Sequence, residues 1–141
     1  SNIVFVVKNW PFKIWFYAPF MRLAGYLNVE RYSLDDIVCR AQEILSSNAA
    51  ILFFPEGHRS RDGRLGRFYS GAFKIAFELG VPVVPVCIRG TDVFLAPGQF
   101  LFNYSEIVIK IGQPVEVKQF ESHLSLKRYV KQLFNIGLKG G

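Results

Sequence analysis

The sequence predicts an α/β domain: a layered, largely parallel sheet flanked by helices. Two observations carry the prediction. Short all-apolar runs rich in β-branched residues, at 3–7, 49–54 and 81–88, read as strands. Between them lie segments whose apolar residues recur at helical spacing, and regular alternation of strand and helix favours crossover connections and parallel pairing.

In chain order, residues 3–7 have the pattern of a strand buried on both faces. Pro11 stands where a first helical residue belongs, and residues 12–25 read as a short helix kinked or split at Pro19 and stopped by Gly25. Residues 26–30 fit a brief strand. Ser33 followed by Asp35 and Asp36 is a helix-start signal, and Leu34, Ile37, Val38, Ala41, Ile44 and Leu45 share a face, which predicts a helix over 33–47. Residues 49–54 form the next strand, broken by Pro55 and followed by a polar, glycine-bearing loop that runs to Phe68. Ser70 is a candidate cap for a helix that Gly80 ends. The strand at 81–88 contains Pro82 and Pro85, which point to an edge or irregular pairing. Residues 90–104 read as loop. Ile107, Ile109 and Ile111 alternate with Val108, Lys110 and Gly112, the mark of a half-exposed strand, and Ser125 is the expected cap of a last helix carrying Leu126, Tyr129, Val130, Leu133 and Phe134.

With 141 residues the chain is read as a single domain, 1–141, large enough to bury a core. Half of it is hydrophobic, 16% is aromatic and 20% is charged, which excludes disorder. A net charge of +6 calls for an anionic partner: nucleic acid, a membrane surface or a phosphorylated metabolite. Cys39 and Cys87 show neither metal-ligand nor disulfide spacing, so no metal or cofactor is expected. No run reaches the roughly 18 apolar residues of a membrane span. The chain begins abruptly at Ser1-Asn2, which is consistent with a cloning scar and with a piece cut from a longer protein.

The chemistry concentrates after the strand at 49–54. In Phe53-Phe54-Pro55-Glu56-Gly57-His58-Arg59-Ser60-Arg61-Asp62-Gly63-Arg64, two aromatics expected to be buried run into a carboxylate, a histidine and several arginines. Gly57 opens backbone conformations closed to other residues, and planar guanidinium groups suit phosphate oxygens. A phosphate site and a solvated turn whose arginines pair with Asp62 and Glu56 both fit this composition, while a Walker loop does not. His58 and Asp62 would share a face on a helix, but this segment reads as loop, which makes His58 a surface or supporting residue. His123 reads as surface at a helix entry. There is no nucleophile elbow.

Four blocks in order, Gly25-Tyr26-Leu27-Asn28-Val29-Glu30-Arg31, Phe54-Pro55-Glu56-Gly57-His58-Arg59-Ser60, Gly71-Ala72-Phe73 and Val81-Pro82-Val83-Val84-Pro85-Val86, resemble those of the glycerolipid acyltransferases, and of the 1-acylglycerol-3-phosphate acyltransferases in particular. The resemblance spans roughly residues 3–115. It implies transfer of an acyl chain from acyl-CoA or acyl carrier protein to a lysophospholipid such as 1-acylglycerol 3-phosphate, giving phosphatidic acid. It implies that Arg31 and Arg59 bind the acceptor's phosphate, that Glu56 and Gly57 shape the same pocket, and that Pro85 belongs to a structural or donor-side block. His58 stands where this family often has Thr.

The resemblance also implies a catalytic Asn-His, four residues and Asp, upstream of residues 3–7, with His as base and Asp as its orienter. Neither histidine here fits: Gly63 follows His58 and Arg128 follows His123 at that distance. The expectation is an N-terminally incomplete domain with no catalytic residue in view, inactive alone but drawn from an active parent. Its rival is a noncatalytic lipid- or phosphate-binding pseudoenzyme of the same fold. Trp10, Trp15 and Tyr17 beside Lys13 and Arg22 fit a monotopic contact with the cytoplasmic face of a membrane. Nucleic-acid binding ranks last, since the arginines crowd one loop and no recognition motif accompanies them.

Overall fold

A computed structural model describes residues 2–7, 27–28, 33–58, 64–94 and 103–136. The chain divides into two compact units, Ser1–Gly57 and His58–Gly141. The segments expected as a kinked helix at 12–25 and as a membrane contact at 10–22 lie outside the described residues.

The first unit is built on a three-stranded parallel sheet in the order β2-β1-β3, with β1 at Ile3–Val7, β2 at Leu27–Asn28 and β3 at Ala50–Phe53. β1 is central: Val6 pairs with Leu27 on one side and with Phe53 on the other, and Val7 pairs with Asn28. Within Ile3–Val6, Val6 is buried, Val4 and Phe5 are half-buried and Ile3 is exposed, so the start of the strand is not covered on both faces as expected. Ile3 pairs with Ala50, and both are exposed.

Helix α1, Leu34–Ser46, starts on the expected signal. The Asp36 N–H donates to Ser33 Oγ (3.2 Å), and the Ser33 N–H returns a bond to Asp36 Oδ2 (3.2 Å), satisfying two otherwise orphaned donors. The helix buries Ile37 and Ala41. Asn48, at φ +59, turns the chain into β3, whose Ala50 N–H donates to the Asn2 carbonyl at 2.8 Å.

In the second unit, α2 covers Gly71–Leu79 and ends at Gly80, with φ +65. Ser70 precedes it but does not cap it: its backbone is already helical (φ −84, ψ −12) rather than extended, which carries the hydroxyl away from the first-turn N–H groups. β4 (Val86–Arg89) and β5 (Val108–Ile111) pair antiparallel, Ile88 opposite Ile109. The predicted strand at 81–88 is reduced by Pro82 and Pro85 to one bridge, Val83 with Val115, before β4 begins. The loop expected from residue 90 opens instead with a short helix, α3, at Thr91–Phe94. Gly90 is required there, since at φ +84 a Cβ would run into the Glu106 carbonyl. β5 is more exposed than the expected half: Val108, Ile109 and Ile111 are all exposed and Lys110 is half-buried.

After a 3₁₀ turn at Val117–Gln119, helix α4 spans His123–Ile136. It begins earlier than expected, because Ser122 and Ser125 satisfy each other's backbone N–H groups (3.3 and 3.2 Å), which makes Ser122 the cap and puts His123 in the first turn. The core of this unit joins Phe68, Phe73, Ala76, Val115, Val117, Leu126 and Val130. Phe68 stacks on Phe73 (centroids 6.1 Å) and meets Phe134 edge-on (5.7 Å).

Candidate functional site

The expected site begins where β3 ends. Proline favours the second position of a tight turn and glycine the fourth. Phe54-Pro55-Glu56-Gly57 follows that pattern: the Gly57 N–H donates to the Phe54 carbonyl at 3.0 Å, and Gly57 takes φ +68. Glu56 has negative φ, which excludes the type II turn, whose third residue needs positive φ. The turn carries Glu56 half-buried and leaves Phe54 53% exposed, so only Phe53 of the aromatic pair belongs to the strand's packing. Phe54 lies beyond the last paired residue and follows no pleat.

The parallel register sets what can converge on this turn. Because Val6 of β1 pairs with both Leu27 and Phe53, the three strands end at the same edge of the sheet. Glu56 follows Phe53 of β3 by three residues, so its turn leaves that carboxyl edge, and Arg31 follows Asn28 of β2 by three in sequence. Their strands sit on either side of β1, two spacings or about 10 Å apart. In parallel sheets, ligands bind outside this edge.

Of the expected site residues, the structure describes Glu56 and Gly57, neighbours in one turn; Arg31 and Arg59 lie outside the described residues. His58 opens the second unit and is exposed. Neither Glu56 nor His58 is without a partner. His123, in the first turn of α4, is half-buried, and Ser122 beside it serves the helix cap. Among the described residues no group of His, Cys, Asp and Glu side chains is arranged to hold a metal ion, and no helix there is long and apolar enough to cross a membrane.

Sequence reasoning missed how the chain is held beyond the arginine-rich loop. Phe68 is fixed in the second unit's core, Lys131 Nζ lies 5.8 Å from the centre of its ring, and Lys127 Nζ donates to Ser70 Oγ at 2.8 Å. Arg67 lies 5.9 Å from the ring centre of its neighbour Tyr69. The available signal was Lys127 and Lys131 one helical turn apart in a helix without a carboxylate. A cavity of about 260 Å³ elsewhere in this unit is lined by Pro85, Gln113, Pro114, Gln119, Tyr129 and neighbours. Among the described residues no cation lines it, so they do not give it the chemistry of a phosphate site.

A model of the acyltransferase family matches residues 1–89. The chain belongs to the acyltransferase family. It is 36% identical over 82% of its length to a chloroplastic 1-acyl-sn-glycerol-3-phosphate acyltransferase of Arabidopsis thaliana, and 38% identical over 67% to one of Brassica napus. It covers 33% and 29% of those proteins, so it spans about a third of the length of the curated relatives it matches. The crystal structure of a 1-acyl-sn-glycerophosphate acyltransferase from Thermotoga maritima superposes with a TM-score of 0.76 at 26% identity, covering 99% of this chain and 65% of that one. The α/β acyltransferase fold with its parallel sheet is thereby established, and these relatives place the chain among the glycerolipid acyltransferases.

Proposed function

We propose that this chain is the acceptor-binding part of an enzyme that transfers an acyl group from acyl-CoA or acyl carrier protein to a lysophospholipid, 1-acylglycerol 3-phosphate being the leading acceptor. The observation that supports the reading is the register of the parallel sheet, which ends β2 and β3 at one edge; the Glu56–Gly57 turn follows β3 there, and Arg31 follows β2 by three residues in sequence. Arg31 and Arg59 are assigned to the acceptor's phosphate, whose oxygens match the guanidinium fork. Glu56 is assigned to the acceptor's polar groups or to orienting those arginines, and Gly57 to holding the turn that presents Glu56.

Acyl transfer needs a base that takes the proton from the acceptor hydroxyl as it attacks the thioester carbonyl; the thiol of the donor then leaves. Neither His58 nor His123 is assigned that role. His58 lacks a spaced aspartate and His123 sits in a helix start. Delivery of a lipid acceptor fits a monotopic contact at the cytoplasmic face of a membrane through the aromatic and basic residues at 10–22.

The test is acyl transfer by the full-length protein to 1-acylglycerol 3-phosphate. Arg31→Ala and Arg59→Ala should each weaken acceptor binding by about 1–3 kcal/mol, as for a lost charge-assisted bond, seen as a raised KM. Normal acceptor binding in both variants overturns the assignment. A full-length protein that binds lysophosphatidate but transfers nothing from either donor is the noncatalytic module instead.

A further inference from the structure

The segment Arg64-Leu65-Gly66-Arg67-Phe68-Tyr69-Ser70 and helix α4 together hold five cations, Arg64, Arg67, Lys127, Arg128 and Lys131, and no carboxylate. The fold brings them side by side: Lys127 bonds Ser70 and Lys131 stands over Phe68, so that face of α4 lies along the segment carrying the two arginines. Within the helix, Lys127 and Lys131 are four residues apart and Arg128 and Lys131 three, spacings at which like charges repel and destabilise. A helix needed only for its buried face, Leu126 and Val130, would gain from acids among these cations. Their absence marks a surface for an anion.

The apolar side chains between the cations indicate what kind of anion. The outer row of α4 is Leu124, Arg128, Gln132 and Ile136, all exposed, with Leu124 at 45% and Ile136 at 81%. On the adjoining segment, Tyr69 is 51% exposed beneath the Arg67 guanidinium. A nucleic-acid backbone or an acidic protein face would set Leu124 and Ile136 against charge. At a bilayer surface, cations engage headgroup phosphates while aliphatic and tyrosyl side chains enter the acyl boundary. We infer that the ridge formed by residues 64–70 and the outer face of α4 docks on the anionic headgroups of a lipid bilayer. This contact draws on none of residues 10–22, and it holds independently of acyl transfer.

The experiment uses the 141-residue chain and sedimentation with phosphatidylcholine vesicles, with and without phosphatidylglycerol. Binding should require the anionic lipid and fall with salt. Combined Arg64→Gln, Arg67→Gln and Arg128→Gln, all at exposed positions, should weaken it by about fivefold per cation, on the order of 100-fold together. Arg128→Gln alone, the mildest change to the fold, should still show its fivefold share. Arg40→Gln, Lys110→Gln and Lys118→Gln remove the same charge elsewhere and should cost far less; an equal loss would mean that net charge alone acts and would overturn the ridge. Unchanged vesicle binding in the triple variant also overturns it, as does a triple variant that keeps its vesicles but loses an acidic acyl carrier protein.

Discussion

The two units organise their parts of the signature sequence by different physics. In Ser1–Gly57, the Phe54–Gly57 turn is fixed by neighbours in sequence: Pro55 sets one dihedral, Gly57 permits another, and a single 3.0 Å bond closes the turn. In His58–Gly141, the segment that follows the loop is fixed from far along the chain, through Phe134 against Phe68 and Lys127 against Ser70, the latter pair 57 residues apart. A locally encoded turn keeps its shape when packing loosens. A segment held by distant contacts has the stability of the core that grips it.

The largest test of this contrast is Phe68→Ala. Phe68 is 4% exposed among Phe73, Val115, Val117 and Leu126, and removing a buried ring of this kind costs about 3–5 kcal/mol. Urea unfolding of the chain should show the loss in the transition reporting the second unit. A loss below about 1 kcal/mol would mean that Phe68 is not the anchor.

A smaller effect is expected from Gly57→Ala. A side chain held at φ +68 costs about 1–2 kcal/mol, and the substitution leaves the second unit's core untouched. In the full-length protein it should raise the acceptor KM more than it lowers kcat, because the turn presents Glu56. Equal losses in both variants, Phe68→Ala and Gly57→Ala, in the second unit's transition would erase the distinction between local and distant encoding.

The same distinction explains what was legible in the sequence. Short-range signals agree with the structure: the Ser33 cap, the Gly80 stop and Pro55 ending β3. The helix after Ser70 starts where expected, but the capping roles given to Ser70 and Ser125 differ, because a serine's role depends on its backbone dihedrals and on a partner, Lys127 or Ser122, that composition does not select. The antiparallel pairing of β4 with β5 was also hidden, since apolar runs of this length do not reveal strand direction. At the site, Glu56 and Gly57 were visible as chemistry, whereas the lysines that secure the following segment read as ordinary helix surface.

The smallest effect lies at the start of α1, another locally encoded feature. Ser33→Ala should cost about 1 kcal/mol, the usual loss for a serine cap. The Asp36 carboxyl is held below its ordinary value of 3.8, first by the Ser33 hydroxyl at 2.6 Å and then by the Ser33 backbone N–H, with Arg40 adding less and burial opposing. A depressed pKa means that the folded state binds this proton more weakly than the unfolded one. The stabilisation is therefore present above pH 3.8 and is lost as pH falls through the depressed value. The difference in thermal midpoint between the wild type and Asp36→Asn should be widest near neutrality and should close in acid. A gap that persists unchanged in acid would show that the carboxylate's charge contributes nothing there, and that only hydrogen-bond geometry, which asparagine reproduces in part, sets the helix start.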